Sequence, residues 1–332
     1  MDRIACILEW ENAKGLDRDE ARAGLEALAA QLADHAKASN LAVNLVLVHD
    51  DDVSEGDITD DIRACPSLAA GGVEWRRITA PGTTYYEKKG IATQFTDAEV
   101  LIYADSDCRY APGWVAALTR PLLLDEADVT FGPTEARLEP GVVARASALA
   151  WTWATPHPKD PFRIELPDRF FANNVAIRRE AVRRVPWPRL PGGRVTCTVW
   201  RGRLAAAGLR MRQVPEAAGQ HKQFDAIGPL MARAWMLGGD RDLTRALNGK
   251  GRAGRIVRGV LALVKQPLSY WKRFARLGHV YAPGWRWPLV LLIGTGFRLT
   301  AAAGQLASAL TRSATPERHG YDDLTATARG FG

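Results

Sequence analysis

Two groups of carboxylates stand where this chain could do chemistry. Asp50-Asp51-Asp52 follows the apolar run at 43–48, and Asp105-Ser106-Asp107 follows the apolar run at 100–104. Two carboxylates one residue apart in a loop can converge on a divalent cation. Hard cations such as Mg2+ or Mn2+ accept oxygen ligands and keep positions open for phosphate oxygens, which is what a departing diphosphate needs. In open α/β sheets, ligands bind outside the carboxyl ends of the strands, so both clusters fall where a site belongs. Asp-x-Asp is also the composition of a plain solvated turn; the strand directly before it tips the balance.

The elements that must position these acids alternate short β-branched runs with helical patterns over the first two-thirds of the chain. That is the signal for βα units around a mostly parallel sheet. Ile4-Ala5-Cys6-Ile7-Leu8 reads as the first strand. Asp17-x-x-Glu20 then resembles a capping box, followed by Leu25, Leu28 and Leu32 at helical spacing. Strands are expected at 43–48, 73–78, 100–104 and 129–131, with a helix at 85–95 and another opened by Pro112. Residues 151–170, with Trp151, Trp153 and several prolines, read as an irregular loop over a site. A strand at 170–177, a helix at 200–208 and a strand at 211–214 complete the series, and helix takes over from about Ala226.

An ordered set of segments resembles family-2 glycosyltransferases, which have the nucleotide-sugar-binding GT-A fold: ILEWEN, LVLVHDDD, YYEKKGIATQFTDAEVLIYADSDCRYAPGW, FFANNVAIRRE and GLRMRQVPEAAGQH. The resemblance implies a GT-A domain over residues 1–225 that transfers a sugar from a nucleotide-diphospho-sugar donor to an acceptor hydroxyl with Mg2+ or Mn2+. It implies that Glu11 lines the nucleotide pocket and that Asp50 or Asp51 hydrogen-bonds the base. Lys88 or Lys89 would lie near the nucleotide or its phosphates. Asp105 would contact ribose or metal, Asp107 and His221 would bind the metal, and Asn174 would lie near donor sugar and acceptor. The acidic pair that supplies the general base in many inverting members is absent: residues 193–200 read Gly193-Arg194-Val195-Thr196-Cys197-Thr198-Val199-Trp200, with no acid. An inverting displacement needs a base within hydrogen-bond reach of the attacking hydroxyl. Asp168 is the first candidate, with Glu165 and Glu135 behind it. A non-catalytic nucleotide-sugar-binding protein is the alternative this gap supports.

Composition bounds the rest. The 332 residues are 47% hydrophobic and 24% charged, an ordinary globular balance that excludes disorder and coiled coil. Four scattered cysteines support neither a disulfide framework nor a zinc site, and the N-terminus does not read as a secretory signal, so a cytoplasmic setting is expected. The net charge of +7 is unevenly placed: residues 1–242 carry 30 Lys/Arg against 34 Asp/Glu, whereas residues 243–316 carry 12 Lys/Arg and no acid. Between 252 and 264, Arg252, Arg255 and Arg258 share one helical arc with Lys265 beyond, and Val257, Val260, Leu261 and Val264 the opposite one. Pro267 is expected to separate this helix from a second, in which Lys272, Arg273 and Arg276 oppose Tyr270, Trp271 and Phe274. Such faces suit an anionic membrane surface, so 226–316 is read as a basic amphipathic membrane-associating region on the inner face of the cell membrane, with 317–332 as a disordered tail. The apolar stretch 287–310 is long enough to span a bilayer, but Arg298 at its centre favours a shallow anchor. Nucleic acid is not expected, because the aromatics lie away from the cations. A lipid-linked saccharide or other glycan is the acceptor class the tail suggests.

Overall fold

The computed structural model describes residues 3–52, 54–151, 155–157, 160–165, 171–190, 196–282, 284–311 and 327–330. The chain starts with β1 (Arg3–Glu9), α1 (Arg18–Ser39), β2 (Ala42–His49), α2 (Glu55–Arg63), α3 (Pro66–Ala69) and β3 (Glu74–Thr79). Next come α4 (Tyr85–Gln94), β4 (Val100–Asp105), β5 (Cys108–Tyr110), α5 (Trp114–Leu123), β6 (Val129–Phe131), β7 (Thr134–Ala136) and α6 (Val142–Ala150). The strands β8 (Thr155–His157), β9 (Asp160–Glu165) and β10 (Asn174–Arg178) lead to α7 (Arg179–Arg184), α8 (Thr196–Ala206), β11 (Met211–Gln213) and β12 (Gly219–His221). Three long helices follow, α9 (Ile227–Leu247), α10 (Arg252–Tyr281) and α11 (Trp287–Thr311), and then a short strand β13 (Thr327–Gly330).

The main sheet has the order β11-β6-β10-β4-β1-β2-β3-β13. β4, β1, β2 and β3 are mutually parallel, while β10 runs antiparallel between β4 and β6. Side chains alternate across a strand, and β4 shows the consequence. Val100, Ile102 and Ala104 enter a core with Leu25, Leu28 and Leu32 of α1 and Trp114 and Leu118 of α5. Leu101 and Tyr103 enter the core on the other face, with Ile91 of α4 and Trp200 of α8. Both faces of the central strands are thus covered, as parallel sheets require.

Several local expectations change. The helix after Pro112 starts two residues later, at Trp114, because Gly113 is its cap at φ 77, a left-handed conformation that costs a glycine little. Residues 151–170, expected to be an irregular loop, include the hairpin β8–β9 among their described residues. The tail expected to be disordered contributes β13, which pairs antiparallel with β3 and covers a sheet edge whose amides would otherwise be open. Pro267 does not divide the basic helix: α10 runs 30 residues through it. A mid-helix proline costs ~3 kcal/mol. Here the buried flank of Gly259, Ala262, Tyr270 and Leu277 offsets that loss through packing.

The helices α9, α10 and α11 share a core with the rest of the chain. Leu230 of α9, Tyr270 and Leu277 of α10 and Phe297 of α11 cluster with Ala146 and Leu149 of α6. Glycines set the helix spacing. A Cβ on Gly238 of α9 would stand 2.1 Å from the Ala301 carbonyl oxygen, and one on Gly304 of α11 would stand 2.4 Å from that of Trp235. Asp242 and Arg255 pair at 2.9 Å in this interior, and Ser308 donates to the same carboxylate at 2.9 Å. Arg255 therefore leaves the cationic stripe expected of α10 and faces inward.

Candidate active site

The parallel register sets Glu9 of β1 beside Asp105 of β4, so two carboxylates arrive together at the carboxyl edge of the sheet. They are kept apart electrically. Asp105 takes hydrogen bonds from Lys89 and Tyr85, and the Lys89 ammonium also donates to the Ala172 carbonyl at 2.6 Å. Glu9 accepts from the Glu11 amide at 2.5 Å, and its other oxygen is buried without a partner. Burial and then the neighbouring Asp105 push the Glu9 pKa well above the usual carboxylate range.

Asp107 follows on the loop into β5, and the second sheet supplies its partner. β12 pairs antiparallel with β5 so that His221 lies opposite Cys108. That register brings His221 Nε2 to 3.3 Å from Asp107 Oδ2. His221 Nδ1 faces the Lys222 carbonyl at 2.5 Å, and since a carbonyl only accepts, Nδ1 carries the proton. In the neutral ring Nε2 is then a lone pair aimed at a carboxylate, two acceptors that need a proton or a cation between them. Ligand atoms of Asp105, Asp107, Cys108 and His221 all lie within 4.8 Å of one another. Burial and then Asp107 push the Cys108 thiol well above its ordinary value, although Asn173 donates to its sulfur. The remaining oxygen and nitrogen donors fit a hard or borderline cation such as Mg2+ or Mn2+.

These groups open into a cavity of about 800 Å3. Glu11, Asp105, Asp107 and His221 line it, with Tyr85, Tyr86, Trp151, Phe171 and Asn173. Cys197 and Thr198 of α8 line it too, where the acidic pair was expected.

The structure brings Glu11, Asp105, Asp107 and His221 together, and it relocates other expected site residues. Asp50 joins Glu11 through Lys88, whose ammonium lies 2.8 Å from Glu11 and 3.0 Å from Asp50. Asp51 is exposed beside it and lines no part of the cavity. Lys88 and Lys89 are fully buried and also outside the lining, so they neutralise carboxylates and do not present their charge to a ligand. Asn174 is a tie within the fold. Its Nδ2 donates to the carbonyls of Pro133 and Ala217 at 2.8 Å each, and its Oδ1 accepts from Trp114 Nε1 at 2.7 Å. The chain passes so tightly there that a Cβ on Gly132 would lie 1.7 Å from the Ala217 oxygen. Asn173 is the cavity residue of the doublet; β10 begins at Asn174, and strand alternation turns neighbours to opposite sides. Asp168 lies outside the described residues. Glu135 stands on β7, with its pKa raised by burial and no place in the cavity wall. Sequence reasoning passed over Glu9 behind the site, and over Tyr85 and the α9 arginines in the cavity wall. Glu9 was legible as an acid closing an apolar strand; the arginines gave no signal beyond helical spacing.

No protein-family model matches the chain, and no curated protein matches it. Solved structures do. A mannosyltransferase from Pyrobaculum calidifontis, solved in complex with GDP-Man and Mn2+, superposes with a TM-score of 0.51 at 15% identity, over 93% of this chain and 86% of that one. The chain has a GT-A fold. Glucosyl-3-phosphoglycerate synthase from Mycobacterium tuberculosis, in complex with phosphoglyceric acid, aligns over 71% of this chain and 76% of that one, with a TM-score of 0.44 at 19% identity.

Proposed function

We propose that the protein is a family-2, metal-dependent glycosyltransferase that moves a sugar from a nucleotide-diphospho-sugar to an acceptor hydroxyl with inversion. The observation that carries this reading is the facing pair Asp107 and His221 in the wall of a large cavity at the edge of a GT-A sheet. Asp107 and His221 would hold Mg2+ or Mn2+, with Asp105 oriented toward them by Lys89 and Tyr85. When bound, the cation stabilises the negative charge of the departing nucleoside diphosphate. Glu11, anchored by Lys88, faces the nucleotide, and Asn173 lines the same cavity with its amide held between Cys108 and Thr134. The acceptor oxygen attacks the anomeric carbon as its proton passes to a carboxylate and the diphosphate leaves from the opposite face. Asp168 is the base we assign. The mannosyltransferase of like fold was captured with GDP-Man, which makes that sugar nucleotide the first donor to try.

The site works beside a membrane in this reading. Val257, Val260, Leu261, Val264, Leu268 and Trp271 of α10 are exposed, as are Trp285, Trp287, Leu289 and Leu292 at the start of α11. Apolar patches of this kind on a soluble surface mark an interaction site. Arg258, Lys265 and Lys272 are exposed on the same helix, and no acid occurs from 243 to 316, so an anionic bilayer complements the patch in both apolarity and charge. α11 is long and apolar enough to cross a membrane, but Phe297, Arg298, Ala301 and Gln305 are buried within the protein, which supports a shallow seat on the inner leaflet over a span. Envelope or lipid-linked glycan synthesis is the setting this implies.

Cys197 and Thr198 at the position of the missing acids favour a second reading, a nucleotide-sugar-binding protein without transfer. Donor hydrolysis and transfer with Mn2+, compared between wild type and Asp107→Ala, separates the two. Turnover lost in the variant supports the enzyme; a donor bound but never consumed under any acceptor supports the binding protein.

A further inference from the structure

The cavity that receives Asp107 and His221 has a second, basic wall. Arg233, Asp240, Arg241 and Arg245 of α9 line it together, and Arg298 joins them from α11. Positions 233, 237, 240, 241, 244 and 245 recur at helical spacing, so this is one coherent face of α9 turned to the cavity. It carries three guanidinium groups and one carboxylate where a helix packed on a core would place apolar side chains. Asp242 of the same helix faces away and is committed to Arg255 at 2.9 Å. Arg233 is held in place over the Trp151 ring, 4.9 Å from its centroid, and Arg241 donates to Gln266. Burial and then the like charge of Arg258 lower the pKa of Arg245.

The cavity is therefore acidic at the sheet edge and basic along α9. A transferase needs room for two substrates, and about 800 Å3 lies at the upper end of the usual range for one bound small molecule, roughly 300–1,000 Å3. Guanidinium groups match phosphate oxygens with paired, directional donors. We infer that the inward face of α9, with Arg298, is the acceptor subsite, and that it binds a phosphate group carried by the acceptor. The inference rests on the transferase reading above for the word acceptor, and on the arginine wall alone for the phosphate.

The test uses the full chain with Mn2+ and reads thermal stabilisation by methyl phosphate, with and without saturating GDP or UDP. Dihexanoyl phosphatidic acid, kept monomeric, is titrated in parallel. Methyl phosphate is expected to stabilise the protein in both conditions, and Arg233→Gln/Arg245→Gln is expected to weaken its binding roughly tenfold or more, as for loss of charge-assisted hydrogen bonds. Arg233→Lys/Arg245→Lys, which keeps the charge, should recover part of it and guards against a folding defect. Much tighter binding of the lipid phosphate would assign a lipid-borne acceptor; equal binding would assign a soluble one. The inference is overturned if methyl phosphate gives no shift, if nucleotide abolishes the shift, or if the glutamine variant binds as wild type does. A phosphate shift that depends on the arginines, in a protein that no nucleotide stabilises, would instead remove the transferase reading and leave the anion site.

Discussion

Lys89 is fully buried, and its neighbours satisfy its Nζ: Asp105, the Tyr85 hydroxyl and the Ala172 carbonyl accept its hydrogen bonds. Removing one member of a buried pair strands the other, at ~3–5 kcal/mol. Lys89→Met should therefore cost about that much in urea unfolding and misplace Asp105. Asp50 gives a pH-dependent counterpart. Burial opposes its ionisation, but the Lys88 ammonium and the Gly82 amide more than reverse this and hold its carboxyl at about 2, below the usual 3.8. A carboxyl depressed in the folded state stabilises the fold above its unfolded pKa and gives that up as pH falls through its folded one. Asp50→Asn should thus flatten the loss of stability between pH about 4 and about 2, and cost ~1–2 kcal/mol at neutral pH after allowance for residual exposure. At this scale Asp105 and Asp107 were readable because a strand ending in acids has one place to put them. His221 was readable only by resemblance, because its approach to Asp107 depends on a strand pairing between distant segments. Asn174 was misplaced by one residue: alternation along β10 decides which of two adjacent asparagines meets the cavity, and a one-residue change of strand start reverses the answer.

Helix packing around the cavity depends on positions that have no side chain. Gly238 and Gly304 let α9 and α11 approach until backbone meets backbone. Gly304→Val would force the two apart, at ~1–3 kcal/mol or more, because an overpacked contact must shift both helices. Thermal melts of that variant, with Gly296→Ala as a control where the nearest atom to a new Cβ is Met231 Cε at 3.7 Å, check the claim. The βα units of the first half were legible in their periodicity, since apolar runs buried on both faces have few alternatives. α10 was not, because proline rules are local and the packing that carries a helix across Pro267 is contributed by residues from other elements. The same limit hid the role of Arg298. On hydropathy it was a charge in a membrane-like segment; in the fold it belongs to the wall of the cavity.

For the whole molecule, the excess of positive charge and the exposed apolar surface lie on the same helices, and the cavity is built partly from those helices. The proposed membrane seat and the cavity would thus belong to one layer. Trp271→Ser/Trp285→Ser should release the protein from vesicles containing anionic lipid in a flotation assay, and neutral vesicles should bind wild type more weakly. Binding that ignores both lipid charge and the tryptophans would remove the bilayer from the account. The central claim is the metal-assisted use of a nucleotide-sugar at Asp107 and His221. Its most direct measurement is a thermal-shift screen of UDP-, GDP- and dTDP-sugars with and without Mn2+, in wild type and in Asp107→Ala. The account predicts a shift with one nucleotide that requires Mn2+ and disappears in the variant. No shift with any nucleotide, or a shift unchanged by Asp107→Ala, would contradict it.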